Sequence, residues 1–432
     1  MKKRALLVLV ITVVFSILQS ETSYAEETSL QALINATPKG GTLYLENKLY
    51  SESIVINQPI RIIGKEDTGL QACSQNPALT ILGENVQIEN IKISSCLGVS
   101  ESASVFVIGK NHVFKNIVVE ADQVGLYLEN VNGALFENIH VIGAGKRNGF
   151  EVWNSEDNLF TRNTIENVAD GFYLENSHHN RLTENEVTNA RYGIHVMYSD
   201  WIQISNNQLM YNVTGAMIME TTGTFVEKNM IGGNKQNVNA QGLLLYDVYQ
   251  STIQENYIGD NRVGIFMENS TDNLILNNEV HANFIGAQLS RIYNNTIKNN
   301  SFTNNVNEIQ AIKSANNSIS NNFWDQAAKL DLYDDGKSDI PYHADPYFLY
   351  LTKEVPEFQL FFQHPGMNLL QKMLKSSEKL LITDTQPLME KPWEPSSKRN
   401  EMNLFGAWIT SLIMVTISTI FIIIGRRKKC IQ

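Results

Sequence analysis

Four side chains in this sequence have the types and the spacing of soft-metal ligands. His195 and Met197 lie two residues apart, and Met217 and Met219 repeat that spacing 22 residues later. Imidazole and thioether donors together select copper(I). On adjacent strands ~4.8 Å apart, His195 would stack beside Met217 and Met197 beside Met219, close enough to share one ion. The plainer reading is an apolar patch under the C-terminal segment, because methionine fills irregular gaps well. Met210 and Met230 fall in the same pair of repeats.

A second constellation is acidic and aromatic. Glu129, Glu151 and Glu175 recur with Tyr127, Trp153 and Tyr173 beside them. Diagonal neighbours on a sheet are ~7–8 Å apart, inside the ~6.5–9.5 Å used by inverting glycosidases. Rings beside acids also suit sugars, so this face supports an alternative reading as a polysaccharide hydrolase, lyase or epimerase. Solvated surface acids are the plainer one. No Ser-His-Asp arrangement, CxxC motif, phosphate loop or dinucleotide fingerprint is present.

Two further sets are weaker. Cys73 and Cys96 are 23 residues apart, about one repeat, and could stack on adjacent coils and bridge; two free buried thiols are the alternative. The stretch from Asp331 to Asp339 resembles a calcium loop, with Asp331, Tyr333 and Asp335 in the ligand places. Tyrosine is a poor ligand there, so an acidic turn is expected and calcium is not.

The elements that position these residues follow from one repeat. Glycines recur at Gly125, Gly149, Gly171, Gly193, Gly215, Gly242, Gly264 and Gly286, in steps of 24, 22, 22, 22, 27, 22 and 22. Fourteen residues behind them run Asn163, Asn185, Asn207, Asn229, Asn256, Asn278, Asn300 and Asn322. The series stay in step across the 27-residue interval, so its five extra residues fall between Asn229 and Gly242, near Gly232-Gly233-Asn234. After each glycine the first and third residues are apolar, which is strand alternation. Further apolar positions lie 11 and 16 residues past the glycine, for example Leu182 and Val187. Three short strands per repeat, each unable to bury its apolar face alone, imply a stacked solenoid. The handedness of parallel crossovers makes it a right-handed parallel β-helix. Asparagine suits the turns, through left-handed backbone and side-chain amides that can bond from coil to coil. The stretch from Gly40 to Glu120 has the same texture with looser spacing and supplies the first coils. The stack ends near Phe323-Trp324-Asp325.

The termini place the body outside the cytoplasm. Lys2, Lys3 and Arg4, an apolar run to Leu18 and Ser23-Tyr24-Ala25 form a secretory leader over residues 1–25. Leu404 to Ile424 is uncharged and is followed by Arg426-Arg427-Lys428-Lys429. That predicts a single-pass transmembrane helix over 401–425 with residues 426–432 as a cytoplasmic tail. The β-helix then takes 26–345, and a membrane-proximal packing segment takes 346–400. The chain's formal charge is −11. Without leader and tail it is −17, from 27 basic and 44 acidic residues, which argues against nucleic acid as a partner.

Several motifs resemble one family. Gly193-Ile194-His195-Val196-Met197-Tyr198-Ser199 with Gly215-Ala216-Met217-Ile218-Met219 looks like the NosD family of nitrous oxide reductase maturation proteins. So do Asn322-Phe323-Trp324-Asp325, Asp339-Ile340-Pro341-Tyr342, and Pro356-Glu357-Phe358-Gln359-Leu360-Phe361-Phe362. The resemblance implies a non-enzymatic, extracytoplasmic copper-delivery factor. It would work with an ABC transporter ATPase and permease, receive copper from a chaperone lipoprotein, and serve nitrous oxide reductase. It makes His195, Met197, Met217 and Met219 the copper-handling candidates. It makes the segment around Phe358, Phe361, Phe362 and Met367 the candidate for docking on the permease. This chain departs from the family's free periplasmic members in carrying its own predicted span.

Overall fold

The computed structural model describes residues 29–96, 103–344 and 382–392, with Leu351, Val355, Glu357, Phe358 and Gly366 between. The predicted leader, the predicted span and the tail lie outside the described residues. The whole solenoid belongs to a unit ending at Met389; the unit Glu390–Gln432 is described only at 390–392.

The chain winds as a β-solenoid in which every coil pairs with the next in parallel. The strands that follow the repeating glycines form one sheet of 12, from Ile54–Ile56 to Asn307–Ile312. The other two strands of each coil build a 23-stranded sheet. It is continuous because long strands such as Leu135–Gly143 pair with both Leu159–Thr161 and Thr164–Glu166 of the next coil. All three predicted inward positions are buried: Phe172 and Leu174, Leu182, and Val187 are fully enclosed in one representative coil. Inside the stack, Phe114, Phe136 and Phe160 lie face to face at 5.0 Å between successive centroids. Offset stacking adds to the area that such rings bury.

The glycines are required by close approach. A Cβ at Gly193 would sit 2.4 Å from the carbonyl oxygen of Gly215, and one at Gly171 2.5 Å from that of Gly193. The asparagines form the predicted ladder: Asn207 Nδ2 donates to Asn229 Oδ1 at 3.0 Å and to Leu182 O at 2.9 Å. One expectation is corrected. The left-handed residue of this turn is the one before the ladder asparagine, such as Arg162, Glu184, Asn206 and Lys228. The ladder asparagine serves through its side-chain amide, which also receives the backbone N–H of the ladder asparagine one coil earlier. A second ladder, Asn212, Asn234, Asn261, Asn283 and Asn305, runs parallel to the first. Asn234 belongs to it, so the five extra residues of the long coil are the exposed Lys235–Asn239.

Both ends of the stack are covered. Helix Leu30–Ala36, N-capped by Ser29, lays Leu30 and Ile34 into the first coils. At the other end, Ile382–Asp384 pairs antiparallel with Tyr342–Ala344. Asp384 Oδ2 accepts from Asn322 N at 3.0 Å and Asn322 Nδ2 at 3.1 Å. Those are the bonds that the next coil's asparagine would accept. Cys73 and Cys96 meet as a disulfide on adjacent coils, with Cα atoms 4.8 Å apart. The acidic loop is a turn in which Asp331 accepts from the backbone of Tyr333 and Gly336 at 3.1 and 2.9 Å, and it is tied to the 386–389 segment through Ser338 N to Pro387 O at 2.7 Å.

Candidate metal centre

Strand Tyr192–Met197 pairs with Thr214–Thr222 in the register that the repeat requires: His195 faces Met217 and Met197 faces Met219. Ile194, Val196, Ala216 and Ile218 fill the core between them. The two inward residues of each strand are what force its alternate residues outward. All four candidate donors therefore stand on one face of two neighbouring coils. His195 is buried and the three methionines are half-buried. Met210 and Met230 lie on the other sheet, with Met210 in register with Gly232 and Met230 exposed.

The surroundings of His195 were not anticipated. Its Nδ1 lies 2.9 Å from Oδ2 of Asp170, a wholly buried carboxylate one coil earlier. Arg191 donates to the same carboxylate through Nε and a terminal nitrogen, both at 2.9 Å. That hydrogen bond raises the Arg191 pKa. The imidazole is flanked edge-on by the rings of Tyr173 and Tyr192, with centroids at 5.0 and 4.8 Å. Among the described residues, its buried Nε2 has no hydrogen-bond partner. Buried polar atoms are usually satisfied, and a ring nitrogen left without a protein partner is available to a ligand or a water. An acid one residue before a repeat glycine, set under a histidine two residues after the next, is the signal that would have found Asp170.

Tyr173 joins this group to the acidic one. Its hydroxyl donates to Glu175 and lies 3.8 Å from Met197 Sδ. Burial, then the bond to Glu175, raises its pKa well above the usual range. Of the three acids, Glu129 and Glu175 flank Trp153 in one column, and Glu151 stands in the neighbouring column. Glu151 accepts from Trp153 Nε1 at 3.1 Å and Asn148 Nδ2 at 3.3 Å. Trp153 and Tyr173 lean together at 5.6 Å. Phe358 is partly buried in an apolar cluster with Leu351, Phe284 and Val306. Phe361, Phe362 and Met367 lie outside the described residues. Among the described residues, no group of three or more His, Cys, Asp or Glu side chains is placed to hold a metal. The candidate centre differs in kind, since three of its four donors are thioethers.

Fold and site together define a parallel β-helix protein with a histidine–methionine column on one face. Residues 137–333 match the model of the NosD family, described as "Periplasmic copper-binding protein (NosD)". The resemblance read from the motifs around His195, Met217 and Asn322 is borne out over that stretch. No curated protein sequence matches the chain. Among solved structures, the periplasmic alginate epimerase AlgG is similar at 15% identity and TM-score 0.41, over 67% of this chain and 82% of that one. The N-terminal fragment of bacteriophage Phi29 gene product 12 is similar at 13% identity and TM-score 0.47, over 73% of each chain. The Dettilon tailspike protein is similar at 15% identity and TM-score 0.42, over 70% of this chain and 64% of that one.

Proposed function

We propose that this chain is an extracytoplasmic accessory protein that handles copper(I) at His195, Met197, Met217 and Met219 during nitrous oxide reductase maturation. The observation that carries the reading is the buried Nε2 of His195, unpartnered among the described residues, on a strand register that pairs His195 with Met217 and Met197 with Met219. Neutral nitrogen and thioether donors suit a soft monovalent cation, and they suit hard oxygen-seeking cations poorly. Half-buried methionines leave the ion accessible, as transfer to a client requires. The family description supports copper and an extracytoplasmic body. In this reading a chaperone lipoprotein supplies the ion, and an ABC transporter ATPase and permease act with the protein. The segment around Phe358 docks on the permease, and the predicted C-terminal span holds the body at the membrane.

The test is a copper(I) titration of the full chain in detergent against a competing chelator. Wild type should retain the ion. The Met197→Ala/Met217→Ala/Met219→Ala variant should lose affinity by ~100-fold or more. Equal retention by both proteins would remove the site, and no retention by wild type would remove the copper reading altogether.

A further inference from the structure

We infer that Asp170, clamped by Arg191, is a positioning residue that fixes His195 in a single tautomer, with the proton on Nδ1 and the lone pair on Nε2. The inference rests on the proposed metal site for its use, but its structural content is independent of copper. Three successive coils supply the parts. Asp170 stands on one, Arg191 and His195 on the next, and Met217 on the third.

The proton's position follows from counting donors and acceptors. Arginine is protonated throughout the accessible pH range and can only donate. Its two bonds to Asp170 therefore end on acceptor oxygens. The contact between Nδ1 and Oδ2 at 2.9 Å is then a hydrogen bond given by the ring. A neutral imidazole has one proton to give, so Nε2 is left with its lone pair. A doubly protonated ring would leave an N–H at Nε2 buried with no acceptor. That carries the full desolvation penalty of an unpaired donor. Turning the ring over would put a carbon against the carboxylate and forfeit the bond, and Tyr173 and Tyr192 hold both flanks.

A bare Nε2 on a ring anchored at its other nitrogen is the form that a soft cation needs. Anchoring removes the tautomer and rotamer freedom that an exposed histidine loses on binding. Glu175, in register with Met197, adds a carboxylate on the same face, so selectivity for a soft ion rests on the donor types and not on charge.

The test reads the tautomer first. In the copper-free full chain, the imidazole 15N shifts of His195 should report a proton on Nδ1. In Asp170→Ala the ring should move toward the Nε2-protonated form, and copper(I) affinity should fall ~10–100-fold. In Asp170→Asn the amide oxygen can still accept from Nδ1, so most of the tautomer preference should return. If the alanine variant fails to fold, the wild-type 15N assignment alone decides the matter. A wild-type ring protonated on Nε2 overturns the inference, as does an Asp170→Ala protein with wild-type tautomer and affinity. Wild type with the expected tautomer and no copper(I) affinity sinks the copper reading and leaves the positioning role standing.

Discussion

A constant spacing of 22 residues makes the pairing of His195 with Met217, and of Met197 with Met219, legible before any coordinates are known. A one-residue slip would turn each coil's core residues outward, so the register has no latitude. Asp170 was not legible in the same way. Its column holds Tyr192 and Thr214 in the next coils, so only its place before Gly171, one coil under His195, singles out the acid. The glycine series was visible, but its cause was not. None of Gly171, Gly193 and Gly215 needs a left-handed backbone; each makes room for a carbonyl of the next coil. Gly193 lies two residues before His195, so its replacement tests that cause at the site. Gly193→Ala must push Gly215 O away from a contact of 2.4 Å. Overpacking of this kind costs roughly 1–3 kcal/mol. The expected outcome is a lowered thermal midpoint together with weakened copper(I) retention, because the shift moves His195 relative to Met217. Unchanged stability would mean that the stack gives way freely at this point.

The turn between the second and third strands of each coil depends on its asparagine column. The sequence showed the column but assigned it the wrong backbone role. The left-handed position belongs to Glu184, Asn206 or Lys228, and the residue types there vary because only φ matters. The asparagine itself is irreplaceable for its amide. Asn207 accepts from Asn185 N and Nδ2 at 2.9 and 3.0 Å while donating to Leu182 O and Asn229 Oδ1. Asn207→Ala leaves the Asn185 N–H and the Leu182 carbonyl buried without that partner. A buried group so orphaned costs ~1–3 kcal/mol, so denaturant unfolding should show a loss of about 2–5 kcal/mol. Asn317, half-buried at the end of a third column through Asn273 and Asn295, accepts from Asn295 N and Nδ2 and donates to Ile292 O, one side-chain bond fewer than Asn207. Asn317→Ala should cost clearly less, and equal losses would argue against a ladder whose members depend on neighbours on both sides.

A solenoid of parallel coils has two open ends, and each invites pairing with another chain unless something covers it. Here the covering residues come from outside the repeat, which is why the sequence did not reveal them. Helix Leu30–Ala36 covers one end, and Asp384, 62 residues from Asn322, takes the place of the next ladder asparagine at the other. The same end buries a second carboxyl. Glu308 occupies the glycine position of the last coil, in line with Gly286. No further coil lies above to exclude a side chain. It accepts from Gln326 N at 3.0 Å, with Asp325, Tyr342 and Lys329 around it. Burial pushes its pKa up to about 8, and the neighbouring Asp325 carboxyl adds to the effect. A carboxyl whose folded pKa is raised binds its proton more tightly in the folded state. Its contribution to stability is complete below the unfolded carboxyl range and declines as pH rises toward 8, by up to about 1.4 kcal/mol per pH unit. The closed end should therefore loosen between pH 5 and pH 8. Glu308→Gln, neutral at every pH, should remove that part of the slope and raise the thermal midpoint at pH 8 relative to wild type. Melting both proteins across this range decides it: parallel curves would show that Glu308 is already charged in the folded protein and that the end is held by Asp384 and the stacked Phe302, Trp324 and Tyr342 rings alone.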